Sequence, residues 1–227
     1  MTVRVLALVE GQTEETFIRE IVSPLLATGD VVISATTPGH RRAQGGVQHW
    51  GCTKKELLRY LKEDTGRFVT TMFDYYRLPS DWPGRDEAKR KKLISTKAEE
   101  IERAIHADVC GELGGSFDGA RFLPYIQMHE FEALLFSSTG VLAEAVPPPN
   151  LQARLDAIVQ ECGEPEGIDD DPETAPSKRI CALVPGYQKV VHGINAAKRI
   201  GLPMMRERCP HFAQWLEKLE QLGEGQG

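Results

Sequence analysis

A chain of 227 residues with 41% hydrophobic and 26% charged side chains carries enough apolar material for one core-bearing domain, with or without a helical extension. No apolar run approaches the roughly 18 residues of a membrane-spanning helix, and a net charge of −6 argues against a general nucleic-acid coat, although the acid excess lies after residue 130 and leaves room for a basic face earlier. Five scattered cysteines, with neither a CxxC pair nor zinc spacing, read as reduced structural thiols of a cytoplasmic protein.

Val3–Val9 is a near-continuous apolar run, the pattern of a central parallel strand buried on both faces. A signal peptide is disfavoured there, because a carboxylate follows at once and no small-residue cleavage site appears. The strand runs into Glu10-Gly11-Gln12, after which Thr13 is expected to cap a helix whose first turn holds Glu14 and Glu15. A second strand over 31–35 leads to a loop over 38–51 rich in Gly, His and Arg. A helix over 54–62, a third strand over 68–73 ending at Asp74, and a proline-bearing loop over 77–84 follow. A long charged helix over 86–107, a fourth strand over 122–128 and a helix over 130–136 complete the alternation. It predicts an α/β domain over 1–146 with parallel strands joined by crossovers. Beyond Val146, Pro147-Pro148-Pro149 reads as a spacer. A helix over 151–161, an acidic surface loop over 164–173, and helices over 177–183, 187–200 and 212–222 then form a helical cap or extension over 147–227, ending in a disordered GEGQG tail.

Three strands end in acid, at Glu10, Asp74 and, two residues on, Glu130. In an open parallel sheet, ligands bind beyond the carboxyl ends of the strands. Like charges gathered there are costly unless a cation neutralises them, and a hard ion that keeps several waters describes Mg²⁺, with Mn²⁺ as the alternative. Such an ion binds a phosphate, polarises the scissile bond and activates water. The plainer reading is that each acid caps the helix after it. One acid alone would favour that reading; three on one edge favour a site.

Other candidates are weaker. His129 reads as a general base or phosphate contact, or as a structural histidine. Lys178, beside Arg179 where a helix should begin near Ser177, suits contact with a scissile phosphate or protonation of a leaving oxygen, against an exposed basic pair. Arg41 and Arg42, with Gly45, Gly46, His49 and Trp50 nearby, offer cations and an aromatic for single-stranded nucleic acid, against a plain loop. The basic run at 89–92 is most simply a solvated helix face.

The segment Glu10-Gly11-Gln12-Thr13-Glu14-Glu15 at the end of the first strand resembles the opening Glu motif of TOPRIM domains, found in topoisomerases, primases and the nucleases of the overcoming-lysogenization-defect type. The whole chain is similar to a bacterial family known as domain of unknown function 4276. The resemblance runs through VEGQTEETF, TTMFDYYRLPSDWPG, YIQMHEFEALLFS, PETAPSKRI and PHFAQWLEKLE. It implies a TOPRIM-like (Rossmann-like) parallel sheet flanked by helices and a metal-dependent nuclease acting on DNA or RNA. It also implies a role as an anti-phage effector beside an AAA-type ATPase. The chain departs from the TOPRIM Asp-x-Asp by having Asp74-Tyr75-Tyr76. That removes one candidate ligand, leaves Glu130 or Glu132 to substitute and Glu14 to join Glu10, and makes one metal the expectation. On a helix Glu130 and Glu132 would face different ways, and Glu130 follows the strand directly. A non-catalytic regulatory partner of an ATPase and a small-molecule phosphoesterase are the alternatives.

Overall fold

The computed structural model describes residues 2–39, 49–168 and 173–224. Strand β1 (Val3–Val9) is the sheet's axis, and its pleat divides the core. Val3, Val5, Ala7 and Val9 enter one apolar cluster and Leu8 enters another on the opposite face. Helix α1 (Gln12–Phe17) follows, continuing through a π-helical turn (Ile18–Val22) into α2 (Ser23–Leu26). It begins two residues earlier than expected: Gly11 is the extended N-cap, which moves Thr13 inside the first turn with Glu14. Phe17, Ile18, Val22 and Leu26 bury this helical run against the first face.

Strand β2 (Val31–Thr36) pairs parallel with β1 on one side. After α3 (Trp50–Glu63), strand β3 (Arg67–Asp74) pairs parallel with β1 on the other, so that Val5 lies between Ile33 and Phe68. The helix expected over 86–107 is two helices, α4 (Arg85–Lys89) and α5 (Ile94–Leu113). The basic run at 89–92 sits in the break, where successive like charges oppose continued helix and Leu93 is extended. Gly84 makes the approach to α5 feasible, since at its φ of 74° a Cβ would stand 2.8 Å from the Glu100 carbonyl oxygen. Helices α3 and α5 cover the second face with Leu57, Leu61, Ile101, Ile105 and Val109.

The expected fourth strand is also split, into β4 (Phe122–Leu123) and β5 (Ile126–Gln127), both parallel to β3. Pro124 cannot donate to a ladder. The Thr71 hydroxyl takes over there, donating to Tyr125 O at 2.8 Å and accepting from Tyr125 N at 2.9 Å. The sheet order is β2-β1-β3-β4 with β5 also on β3.

A 3₁₀ segment, Phe131–Ser138, replaces the expected α-helix over 130–136. It leads to α6 (Thr139–Ala145), α7 (Gln152–Cys162), α8 (Pro176–Leu183), a π-helical turn (Lys189–Gly193), α9 (Ile194–Arg208) and α10 (Pro210–Glu224). The core runs on past Val146: Val3, Phe17 and Val31 share one cluster with Leu155, Ile180, Phe212 and Leu219. Trp215 of α10 donates its indole N–H to Thr70 of β3 at 2.9 Å. The segment expected as an acidic surface loop is partly interior, because Glu166 and Ile168 are buried. Glu166 accepts the His211 and Phe212 N–H groups, each at 2.9 Å, and so caps α10. Gly223 and Glu224 belong to α10, while 169–172 of the loop and 225–227 of the tail lie outside the described residues. All five cysteines are free thiols, and no described helix is long and apolar enough to cross a membrane.

Candidate functional site

The carboxyl ends of β1 and β3 meet one register step apart. Val9 pairs with Met72, and the Glu10 N–H donates to the Met72 carbonyl at 3.2 Å. The Glu10 carboxylate then accepts the Asp74 N–H at 3.3 Å, and Asp74 Oδ1 accepts the Phe131 N–H at 3.0 Å. Glu130 and Glu132 follow β5 closely. Glu130 is extended and caps the 3₁₀ segment, so the two side chains do not part as on an α-helix. Both turn to Lys189, whose Nζ lies 2.8 Å from Glu132 Oε2 and 3.7 Å from Glu130 Oε1. The other Glu130 oxygen accepts the Ser177 N–H at 2.8 Å, tying α8 to the site. Glu132 Oε1 is buried with no hydrogen-bond partner.

Five carboxylates thus share one neighbourhood with one ammonium. Burial pushes Glu14 up to about 7, and the Glu10 charge adds to the effect. Burial, then Glu10 and Glu14, push Asp74 well above the usual carboxylate range. Glu132 is raised to about 7 by burial, although Lys189 opposes this. Burial also raises Glu10, while the Asp74 N–H, Arg77 and Lys189 pull it down. Burial disfavours the Lys189 charge, but Glu132, Asp74 and Glu130 outweigh it and hold the ammonium charged. Groups so arranged stabilise a fold poorly, since burying charge costs more than a single ion pair returns. Their convergence is the pattern of a working site.

The remaining expected residues scatter. His129 is buried beside the cluster in a left-handed conformation (φ 63°), with its carbonyl accepting the Tyr76 N–H at 3.0 Å and its ring edge-on to Tyr75. Lys178 is exposed on α8, and the helix N-terminus expected to meet a phosphate instead holds Glu130. Arg41 and Arg42 lie outside the described residues. The sequence reading missed Lys189. It stands mid-run in VPGYQKVVHG, where no local spacing marks it, and only the return of the chain brings it to the acids.

A family model described as "Domain of unknown function (DUF4276)" matches residues 9–220, which take in all five carboxylates and Lys189. The chain belongs to the DUF4276 family. No curated relative and no solved structure matches it. The DUF4276 match extends past Val146 and ends within α10. It therefore spans the α/β core and the helices that close the site.

The donor set in this DUF4276 chain is all carboxylate, which in chemistry and charge fits a hard divalent cation. The unpartnered Glu132 Oε1, and the rise of Glu14 and Asp74 caused first by burial and then by neighbouring carboxylates, mark acids whose ionisation one ammonium does not fully support. Among the described residues no three His, Cys, Asp or Glu side chains already form a metal-holding group. Their oxygens are turned instead to backbone N–H groups and to Lys189.

Proposed function

We propose that this protein is a Mg²⁺-dependent nuclease, hydrolysing phosphodiester bonds of DNA or RNA from a TOPRIM-like sheet edge. One observation carries the reading: buried acids from the ends of β1 and β3 and from the segment after β5 lie within electrostatic reach of one another. Glu10, Glu14 and Asp74 would hold the ion, exchanging internal hydrogen bonds for metal contacts. The ion, when bound, would polarise a phosphate and lower the pKa of a bound water. The chain's own residues do the rest. Lys189 supplies fixed positive charge beside the acids, exposed Arg77 stands where it feels the Glu10 charge, and α8 braces Glu130 through the Ser177 N–H.

A second reading, a non-catalytic partner of an ATPase, is favoured by one observation: the acids are already engaged internally and form no ready metal group among the described residues. Incubation with DNA, RNA and total tRNA in Mg²⁺, Mn²⁺ or EDTA separates the two. Cleavage is expected with either metal and none with EDTA. Glu10→Gln and Asp74→Asn should each lower the rate by on the order of 100-fold or more, the scale of losing a group that stabilises developing charge. If intact protein and both variants behave alike with every metal and substrate, the nuclease reading is lost.

A further inference from the structure

Residues 85–97 hold six basic side chains against two acids, in a chain whose net charge is −6. They form α4, the break after it and the first turn of α5. Arg90, Lys91 and Lys92 are exposed in the break, and Leu93 beside them is 66% exposed. Lys89 lies 3.2 Å from Asp86 and Lys91 3.9 Å from Glu100, whereas Arg85, Arg90, Lys92 and Lys97 form no ion pair among the described residues. Helix α5 begins there with no side-chain cap and no acid in its first turn, so its positive end adds to the same field.

The patch is rooted beside the acidic centre. Arg85 is 8% exposed, and its guanidinium carbon stands 4.0 Å from the centre of the Tyr75 ring. Its Nε donates to the Leu78 carbonyl at 3.4 Å, while its Nη1 is buried with no hydrogen-bond partner. Lys97 Nζ lies 5.8 Å from the centre of the same ring. Tyr75 directly follows Asp74, and its ring meets that of His129, the neighbour of Glu130, edge-on at 5.9 Å. One buried tyrosine thus joins the cations to the acids. Charge kept only for hydration needs no buried guanidinium at its root, and a buried N–H left unmet is costly unless an acceptor arrives.

We propose that this face, from Arg85 through Lys97, docks the phosphate backbone of a double-stranded polynucleotide and so holds it beside the acidic edge. The proposal deepens the nuclease reading and rests on it only for the class of polymer. Charge complementarity selects a polyanion. Residues 85–97 contain no aromatic side chain on which an unpaired base could stack, and binders of single strands rely on such platforms. A duplex keeps its bases inside and presents phosphates along its length. An anionic lipid surface would use the exposed cations and Leu93 but neither the buried Arg85 nor the nearness to the acids.

The test is fluorescence anisotropy of the full chain in EDTA, with short DNA and RNA duplexes and the matching single strands, across a range of salt. Wild type should prefer duplexes. Arg90→Gln combined with Lys92→Gln, both at exposed positions, should weaken duplex binding about tenfold at low salt and lower the slope of log affinity against log salt by about 2, near one for each lost phosphate contact. Arg85→Lys, which keeps the charge and loses the planar fork, should weaken binding with little change in slope. Lys55→Gln combined with Lys62→Gln, exposed on α3, should change neither quantity. Single strands bound as tightly as duplexes, unaltered binding by the Arg90/Lys92 double variant, or an equal loss in the α3 variant would each overturn the assignment. So would wild type that ignores duplexes and binds phosphatidylserine vesicles. Wild type that binds duplexes through this face yet cleaves nothing with Mg²⁺ or Mn²⁺ would sink the nuclease reading alone. Cleavage that the Arg90/Lys92 double variant leaves unchanged at limiting substrate would sink this face alone.

Discussion

A buried carboxyl group that is poorly repaid for its lost hydration holds its proton more tightly, and at Glu14, and at Glu132 despite Lys189, this has a measurable sign. Each titrates at 4.5 ordinarily and at about 7 in the folded chain. The folded state therefore binds the extra protons, and the stabilisation is complete below about pH 4.5 and lost as pH rises through about 7. Metal-free protein should show a Tm that falls between pH 5 and pH 8. Glu14→Gln, which fixes the uncharged form, should flatten that fall and gain on the order of 1–3 kcal/mol at pH 8. Calorimetric scans of both proteins across that range check it, and parallel curves would refute it. Mn²⁺ should raise the wild-type Tm more at pH 8 than at pH 5.5, because only ionised acids bind it. Glu10 and Asp74 were legible in the sequence because strand-end acids in a parallel sheet have few places to go. Lys189 was not, since its meaning depends on a contact 57 residues away in the chain with Glu132.

Elements show the same division between local and distant causes. The apolar runs of β1 and β3 and the spacing of α3 identify themselves, because burial on a sheet face imposes a period that the residues must obey. The breaks do not. The interruption at Pro124 is mended by a side chain of β3, and the interior place of Glu166 exists only because α10 needs an acceptor at its N-terminus. Glu166→Ala should leave two buried N–H groups unmet and cost roughly 2–4 kcal/mol, while Glu166→Gln, which keeps an oxygen acceptor, should cost about half as much or less. Urea unfolding followed by tryptophan fluorescence reads both, with Trp215 in α10 as a reporter buried near the cap. Equal losses in the two variants would mean that the charge, not the hydrogen bonds, matters.

At the scale of the molecule, the two halves seen in composition are not two cores. Phe212, Trp215, Leu216 and Leu219 of α10 are buried in the cluster that also holds Val3, Val5 and Val31. A fragment ending at Val146 would expose that face of the sheet, losing apolar burial worth about 25 cal/mol per Å². It should fail to fold cooperatively, as a broad thermal transition and collapsed amide dispersion in NMR would show. A sharp transition in the fragment would mean instead that the first 146 residues are self-sufficient. The sequence offered no sign of this union, since Pro147-Pro148-Pro149 and the loss of strands look like a boundary from within the chain.

The place of Lys189 has a consequence in time as well as in space. A ribosome, adding about 5–20 residues per second, delivers Glu10, Glu14, Asp74, Glu130 and Glu132 before Lys189, and Lys189 before α10. The newborn chain therefore gathers its negative charges while their own cation is still untranslated. A protein cut short before residue 189 carries the acids without their counter-charge. Completion of the chain from Lys189 onward both closes the core and brings the site its one ammonium, so a prematurely terminated chain should not assemble the finished centre.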